Sequence, residues 1–407
     1  IDRSLTLAQG KNLWPAPPPQ FDVVDSKDFA CCGFGSATLI RRDHLHRPPA
    51  MIPLDVERIS ARGLHPDDFV RRYVAENTPV ILQDALGEAW LGPLAWTPDT
   101  LVELAPAGAA VRVAPLMEDG RDKWIEPAEL WPGAAEREAL PGVIHTDRVL
   151  AVAAARIEVP VADFAASLQG VGSLPNLYAD GASNLEHSFR FLAEHLAGPP
   201  EVGKSLLFKR MDLWLGSRTF STLHFDNYEN LFVQLVGEKE FILCPPGDTR
   251  NLVDGRLRKA YATWHADPGG DGGSGGASDG RGRFERTGEG LSDEAVLNYA
   301  AYDIDTPPEE YVARAAKLRR VRVVVRAGEV LYLPFGWWHQ VRALPAHHGL
   351  CASAAAFFEP FFVRFQPRSL TKPGPLLPNP KYRNLCSRLG LDDSDGEEQG
   401  GAKADPG

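Results

Sequence analysis

Two apolar runs separated by one Gly-Glu step set the tone of this sequence: Asn230-Leu-Phe-Val-Gln-Leu-Val236, then Gly237-Glu238, then Lys239-Glu-Phe-Ile-Leu-Cys244. Each run is too short for an ordinary helix and is bounded by turn residues, which predicts two strands. A glycine and a polar residue between such runs read as a two-residue hairpin connection. The theme returns at Arg322-Val-Val-Val-Arg326, Ala-Gly-Glu and Val330-Leu-Tyr-Leu333. From Leu213 onward short strands alternate with turns, so the expected class is mainly β with some α.

The chain before Leu213 is mixed. Residues 1–48, with Trp14-Pro-Ala-Pro-Pro-Pro19, show no sustained period and are expected to be a disordered or extended leader. Residues 49–175 read as a helical and mixed part that supports the β region. In it, His65-Pro-Asp-Asp-Phe-Val-Arg-Arg-Tyr-Val74 has a proline and acids first and bases later, a helix signature in which Asp67 or Asp68 serves the positive end. Asn77-Thr-Pro-Val-Ile-Leu82, Val111-Arg-Val113 and Asn176-Leu-Tyr-Ala179 suggest strands, and residues 183–195 look helical. Residues 176–365 form the β core, interrupted at about 265–290 by the glycine-rich run Asp267-Pro-Gly-Gly-Asp-Gly-Gly-Ser-Gly-Gly. Similar β segments flank that run, so it reads as a surface excursion inside one domain. Residues 306–320 carry prolines, then acids, then bases, and predict a helix. The last stretch, 366–407, turns Pro-rich and then acidic, which predicts disorder.

The net charge is −11, of which the final 17 residues carry −5. The acidic body argues against direct nucleic-acid binding and for a basic protein partner. No apolar run is long enough to span a bilayer, so no membrane partner is expected. Five cysteines without framework or C-x-x-C spacing fit a reducing compartment, cytoplasm or nucleus. The chain starts at Ile1, so an upstream targeting segment could precede it. Nothing in the sequence sets the oligomeric state, and a homodimer is compatible with it.

His-x-Asp occurs four times: His65/Asp67, His145/Asp147, His224/Asp226 and His265/Asp267. The first belongs to a helix start, the second adjoins a proline-glycine break, and the last opens the glycine run. Those three read as structural or surface residues. His224 and Asp226 open a β region, where residues two apart project to one face and can grip one ion. His339, in Pro334-Phe-Gly-Trp-Trp-His339-Gln-Val341, is the candidate third ligand. Two histidines and a carboxylate on one face of an octahedron leave three positions open, as in non-haem Fe(II) oxygenases. The duller alternative is a core hydrogen bond for His224 and an aromatic corner for His339, with Trp337 and Trp338 either lining a mouth or packing in the core.

Lys239 shares a strand face with Phe241 and Leu243, where a buried ammonium is costly without an anion. Asn230 on the preceding strand could add a hydrogen bond to such an anion. A snorkelling edge lysine is the plain alternative.

The segments 214–246 and 328–341 resemble the JmjC domain of cupin-type Fe(II)/2-oxoglutarate oxygenases, most closely the small JmjC-only protein hydroxylases that act on lysyl or asparaginyl residues. Tyr228-Glu-Asn-Leu-Phe232, Gly237-Glu-Lys239 and Pro245-Pro246 carry the likeness, which extends more weakly over about 52–365. The resemblance implies a double-stranded β-helix (jelly-roll) core with flanking helices. It implies His224, Asp226 and His339 as iron ligands, Lys239 as partner of the distal carboxylate of 2-oxoglutarate, and Ser221, Asn230 and Tyr178 as further co-substrate contacts. One departure stands out: where the family has an asparagine after the second histidine, Cys351-Ala-Ser-Ala-Ala-Ala-Phe-Phe358 supplies alanine, unless a register shift brings in Ser353. The activity implied is hydroxylation of a protein side chain, a lysyl one by the closest likeness, using O₂ and releasing succinate and CO₂. An N-methyl-lysine demethylase of the same fold and a non-catalytic cupin-type binding protein are the competing readings.

Overall fold

The computed structural model describes residues 55–135, 149–181, 184–252, 256–266, 282–363 and 377–391. All of them belong to the unit Pro53–Gly407; the unit Ile1–Ile52 lies outside the described residues. So do the expected leader, His145 and Asp147, residues 267–281 of the glycine-rich run, and the tail apart from 377–391.

Eight strands form the core. They are β1 (Phe208–Gly216), β2 (Phe220–Phe225), β3 (Glu229–Val236), β4 (Glu238–Cys244), β5 (Val321–Arg326), β6 (Val330–Leu333), β7 (Trp338–Leu344) and β8 (Cys351–Phe358). One sheet runs β6-β3-β8-β1, and the facing sheet runs β5-β4-β7-β2. Successive strands alternate between sheets in pairs, the wiring of a jelly roll. The first sheet extends to nine strands. Val80–Gln83 and Glu57–Ser60 continue it beyond β6; Leu177–Gly181, Ala110–Pro115 and Ile157–Pro160 continue it beyond β1.

This wiring corrects the hairpin expectation. β3 and β4 lie in different sheets, as do β5 and β6, so Gly237 and Gly328 turn corners rather than close hairpins. Gly237 has φ 70°, and a Cβ there would stand 2.7 Å from the Leu344 carbonyl oxygen, so only glycine makes the turn. A corner and a hairpin ask for the same local residues. Which of them forms depends on partners far along the chain.

Along β3 the residues alternate in role although all eight are buried. Leu231, Val233 and Leu235 enter the main hydrophobic cluster on the outer face of the first sheet, with Ala352, Ala354, Ala356 and Phe358 of β8. Asn230, Phe232 and Gln234 point the other way, between the sheets. Both faces are covered, which is why the run reads as continuously apolar rather than alternating. The helix expected at 65–74 supplies part of that cover: Pro66–Phe69 continues into a π-helical turn, Val70–Val74. Phe69 packs edge-on against Tyr332 at 5.1 Å. Its N-terminus is capped by His65, whose Nδ1 accepts from the Asp67 amide at 3.2 Å, while Asp67 binds Ser205 and Arg388 instead.

Three other expectations change. Within residues 184–195 only Arg190–His195 is helical, a 3₁₀ helix, and the helix foreseen at 306–320 is confined to Glu309–Ala315. The tail is ordered at 377–391, where Arg383–Leu389 docks Leu385, Cys386 and Leu389 on the main cluster with Tyr382. That spacing of 382, 385, 386 and 389 is a helical stripe, hidden by the polar composition around it.

The stretch between β4 and β5 has two tasks. Its Leu252, Ala300, Tyr302 and Ile304 cover the outer face of the second sheet, packing on Leu223, Phe225 and Trp338. Its strands Leu257–Ala266, Gly282–Glu285 and Leu291–Val296 join Val149–Ala154 and Lys123–Pro127 in a separate side sheet. Leu257–Ala266 pairs with Gly282–Glu285 on either side of the glycine-rich run. Bidentate contacts from Arg286 to buried Glu126, both at 2.9 Å, fasten the two halves of this sheet.

Candidate metal centre

β2 and β7 are antiparallel neighbours with His224 directly opposite His339. The ring centroids are 4.2 Å apart, and His339 Nε2 lies 3.7 Å from Asp226 Oδ2. One ligand atom from each of the three residues falls within 4.8 Å of the others. His224 Nδ1 donates to the Thr222 carbonyl at 2.7 Å, and His339 Nδ1 donates to the Trp337 carbonyl at 3.1 Å. A carbonyl oxygen can only accept, so each proton sits on Nδ1 and each Nε2 keeps its lone pair for a cation. Burial lowers the basicity of both imidazoles; His339 is held down to about 4, first by burial and then by the neighbouring His224. Both are therefore neutral at pH 7, the form a metal requires.

Asp226 and His339 are also tied through the backbone, because the Gly336 amide donates to the Asp226 carbonyl at 3.1 Å. The loop containing Gly336 is pinned by Glu229, whose buried carboxylate accepts from Tyr332 Oη at 2.8 Å, Phe335 N at 3.0 Å and Phe361 N at 2.8 Å. Trp337 and Trp338 are core residues rather than mouth residues. Trp337 Nε1 donates to the Asn77 carbonyl and Trp338 Nε1 to Thr249 Oγ1, each at 2.8 Å.

Ser221 lies three residues before His224, which in a regular strand would turn it outward. The pairing of β2 with β7 slips between His339/His224 and Val341/Ser221, so three steps on β2 match two on β7. This bulge returns Ser221 to the side of His224, and both line one cavity of about 200 Å³. Tyr178 lines it too, as do Asp226, Arg210 and Asp212. Asn230, Lys239 and His339 are not on that wall. Asn230 and Lys239 stand deeper between the sheets, beside Phe232, whose ring is 5.1 Å from the Lys239 ammonium and 6.2 Å from Trp214.

Four of the sequence-selected residues share a feature. Among the described residues, the Ser221 hydroxyl, the Tyr178 hydroxyl, the Lys239 ammonium and Asn230 Oδ1 meet no hydrogen-bond or ion-pair partner, and Asn230 Oδ1 is fully buried. Burial pushes the Lys239 ammonium down to about 8. Unmatched polar groups in a protein interior are rare and point to a ligand.

The alanine of the departure is Ala355, opposite Phe232 and Asp212 on the interior face. Pairing with β1 is regular from Cys351 to Phe357, and the shift in the pairing with β3 falls at Gln234/Val236, beyond Ala355, so none brings Ser353 there. Ser353 donates instead to Gln234 Oε1 at 2.8 Å, and Gln234 in turn binds the Val236 carbonyl.

Several residues at the site escaped the motif reading. Tyr299, from the stretch between β4 and β5, stacks on His224 with centroids 5.6 Å apart and bridges it through the backbone. Asn298 binds the Phe225 carbonyl through its side chain at 3.1 Å. Lys123 bridges Asp122 at 2.7 Å and Asp180 at 2.9 Å, and Arg156 holds the other oxygen of Asp180. Only Asp180 had a local signal, being two residues beyond Tyr178 on the same strand face. The other two described histidines of the His-x-Asp set have plain roles: His65 caps a helix and His265 pairs with Glu285 at 2.8 Å.

A jelly roll that places two histidines and an aspartate on facing strand ends is the architecture of a cupin-type metal site. The chain belongs to the cupin-like domain family, whose profile matches residues 66–364, nearly three quarters of its length. It is similar to the human bifunctional peptidase and (3S)-lysyl hydroxylase JMJD7, at 28% identity over 289 residues covering 68% of this chain and 77% of that protein. It is also 28% identical over 150 residues to lysine-specific demethylase JMJ32 of Arabidopsis thaliana, covering 34% of this chain and 38% of that protein. A third similarity, 28% over 131 residues, is to Jumonji C domain-containing protein 5 of Drosophila melanogaster, of which the match spans 24%. The JmjC-type cupin oxygenase class named by the motif resemblance is thus met at the level of the family.

Proposed function

We propose that this protein is an Fe(II)- and 2-oxoglutarate-dependent oxygenase that hydroxylates a side chain, a lysyl one, of a protein substrate. The observation that carries the reading is the pairing of two sets of groups in one interior. His224, Asp226 and His339 bring one ligand atom each within 4.8 Å of the others. Ser221 and Tyr178 share the cavity of His224 and Asp226, Asn230 and Lys239 stand deeper between the sheets, and all four lack a hydrogen-bond or ion-pair partner among the described residues. The donor set fits Fe(II), because two imidazoles and one carboxylate leave room for further ligands. The unpartnered set fits a small dicarboxylate. With O₂ as the oxidant, bound iron and 2-oxoglutarate would supply the chemistry that converts C–H to C–OH, one oxygen atom going to the product and the other to succinate as CO₂ leaves.

The chain's own residues bind and orient. Lys239 neutralises the far carboxylate, which restores the basicity that burial removes. Ser221 and Tyr178 donate hydroxyl protons, and turning the Asn230 amide presents Nδ2–H to an acceptor. Thr222 and Trp337, through their carbonyls, fix the imidazole tautomers. Phe232 and Trp214 exclude water from the lysine, which strengthens its attraction to an anion. The similarity to a protein named for (3S)-lysyl hydroxylation over 68% of the chain supports a lysyl target.

The test is succinate formation from 2-oxoglutarate with Fe(II), followed by mass spectrometry of candidate proteins. His224→Ala should reduce turnover by more than about 100-fold, since even outer-shell partners of a metal can cost that much. A gain of one oxygen on lysine supports the reading. The similarity to a protein named as a lysine demethylase favours one alternative, for which formaldehyde release and loss of a methyl group would be decisive. Succinate formation unchanged in His224→Ala would overturn both.

A further inference from the structure

The cavity lined by His224 and Asp226 adjoins a second one of about 810 Å³; Asp122, Lys123, Asp180, Asn298 and Tyr299 belong to the walls of both. This larger cavity lies between the jelly roll and the side sheet. Exposed Arg112 and 42%-exposed Tyr261 form part of its outer wall, so it is an open groove. Alanines 151, 153, 154, 155 and 260 line much of the rest, which lets another main chain approach closely. A segment lying here would have its side chains directed past Tyr299 toward His224 and Asp226.

The charges of the groove are uneven. At the inner end Lys123 and Arg156 are matched by Asp122 and Asp180. The two remaining cations are on the outer wall. Lys259 reaches out to Glu294 at 2.7 Å, and the Arg112 guanidinium has no ion pair or hydrogen bond among the described residues, although Glu158 stands opposite it in the sheet register. Because Glu294 offsets Lys259, the unmatched positive charge of the groove is that of Arg112, a local feature in a chain of net −11. It runs against the basic partner that the acidic body predicts.

We infer that this groove holds an extended segment of the protein substrate that carries acidic residues beside the modified one, with Arg112 as their main contact. The inference rests on the protein-oxygenase reading for its occupant, and it adds the sign of the flanking charge. Acidic flanks complement Arg112, with Lys259 and its partner Glu294 beside it; basic flanks are repelled by Arg112.

The test uses the full chain without added iron or 2-oxoglutarate, and two short fluorescein-labelled peptides. Both have a central lysine in a Gly/Ser background, one flanked by glutamates and the other by lysines. Fluorescence anisotropy should show the glutamate-flanked peptide binding about fivefold more tightly, an advantage that falls with added salt. Arg112→Glu should reverse the preference, and Lys259→Glu should weaken it, with melting curves verifying that both variants fold. Preference for the lysine-flanked peptide, a preference unchanged in Arg112→Glu, or no binding of either peptide overturns the inference. So does tighter binding by a single-stranded oligonucleotide, which would make the groove a phosphate track. Succinate formation is measured separately. A charge preference without succinate from any peptide would sink the oxygenase reading alone, and succinate without a charge preference would sink the groove inference alone.

Discussion

Two lysines are drawn toward the interior of this protein, and their surroundings treat them in opposite ways. Lys123, on the wall between the metal cavity and the groove, bridges buried Asp122 and half-buried Asp180, whose charges outweigh burial and hold its ammonium well above the usual lysine range. Lys239, 3% exposed between the sheets, faces an aromatic ring and no carboxylate, and burial drives it down to about 8. The first has the partners that a structural cation needs. The second lacks them, as a residue reserved for an anionic ligand does. On the proposed function the same residue type serves architecture in one region and binding in the other, and the difference lies in its neighbours.

The largest effects should come from exchanging each lysine for methionine. Lys123→Met strands Asp122, while Asp180 keeps Arg156, and should lower unfolding stability by on the order of 2–4 kcal/mol, moderated by the part of Lys123 that reaches solvent. Lys239→Met should have the opposite sign, raising the stability of the ligand-free protein by roughly 1–3 kcal/mol while sharply weakening 2-oxoglutarate binding. Urea unfolding and calorimetric titration read the two quantities separately. If both variants lose stability alike, the distinction between the lysines collapses.

pH sharpens the same contrast. Below about pH 8 Lys239 is protonated in both the folded and the unfolded chain, and the burial penalty is fully present. Between about 8 and the ordinary 10.5 the folded state has released a proton that the unfolded state still holds, so stability of the ligand-free protein rises with pH. Affinity for 2-oxoglutarate should move the other way, falling up to about tenfold per pH unit above about 8. A pH profile identical in wild type and Lys239→Met would remove Lys239 from the binding site.

Smaller effects separate the metal shell from its surroundings. Tyr299→Ala removes the ring stacked on His224 and should weaken Co(II) binding by about tenfold, read from the visible absorption of the bound ion. Smallest of all, Ser353→Ala should cost about 1 kcal/mol through loss of its bond to Gln234 and leave metal affinity unchanged. A large loss of metal affinity in that variant would mean that Ser353, rather than no residue, fills the role of the missing asparagine.

Much of the site was legible because its key residues lie close together in sequence. His224, Asn230 and Lys239 fall on three consecutive strands, with Asp226 just past the end of the first, and a period of two fixes which side chains of a strand share a face. Lys239 was visible as a cation out of place among apolar neighbours. Tyr299, Lys123 and Arg112 were not legible, since nothing in their immediate sequence differs from that of a surface residue. They matter only because the stretch between β4 and β5 pairs with Val149–Ala154, beside Lys123–Pro127, to form the side sheet.

The sequence by itself determined the strands, the glycines at the corners and the residue types able to hold a divalent cation, because these follow from local dihedral preference and side-chain chemistry. Only the tertiary structure decided that Gly237 turns a corner between sheets, that a bulge swings Ser221 back toward His224, and that His339 lies directly opposite His224. Each of those depends on which strand pairs with which and in what register. Pairing is set by burying both faces of two sheets at once, a condition on the whole chain that no short stretch contains.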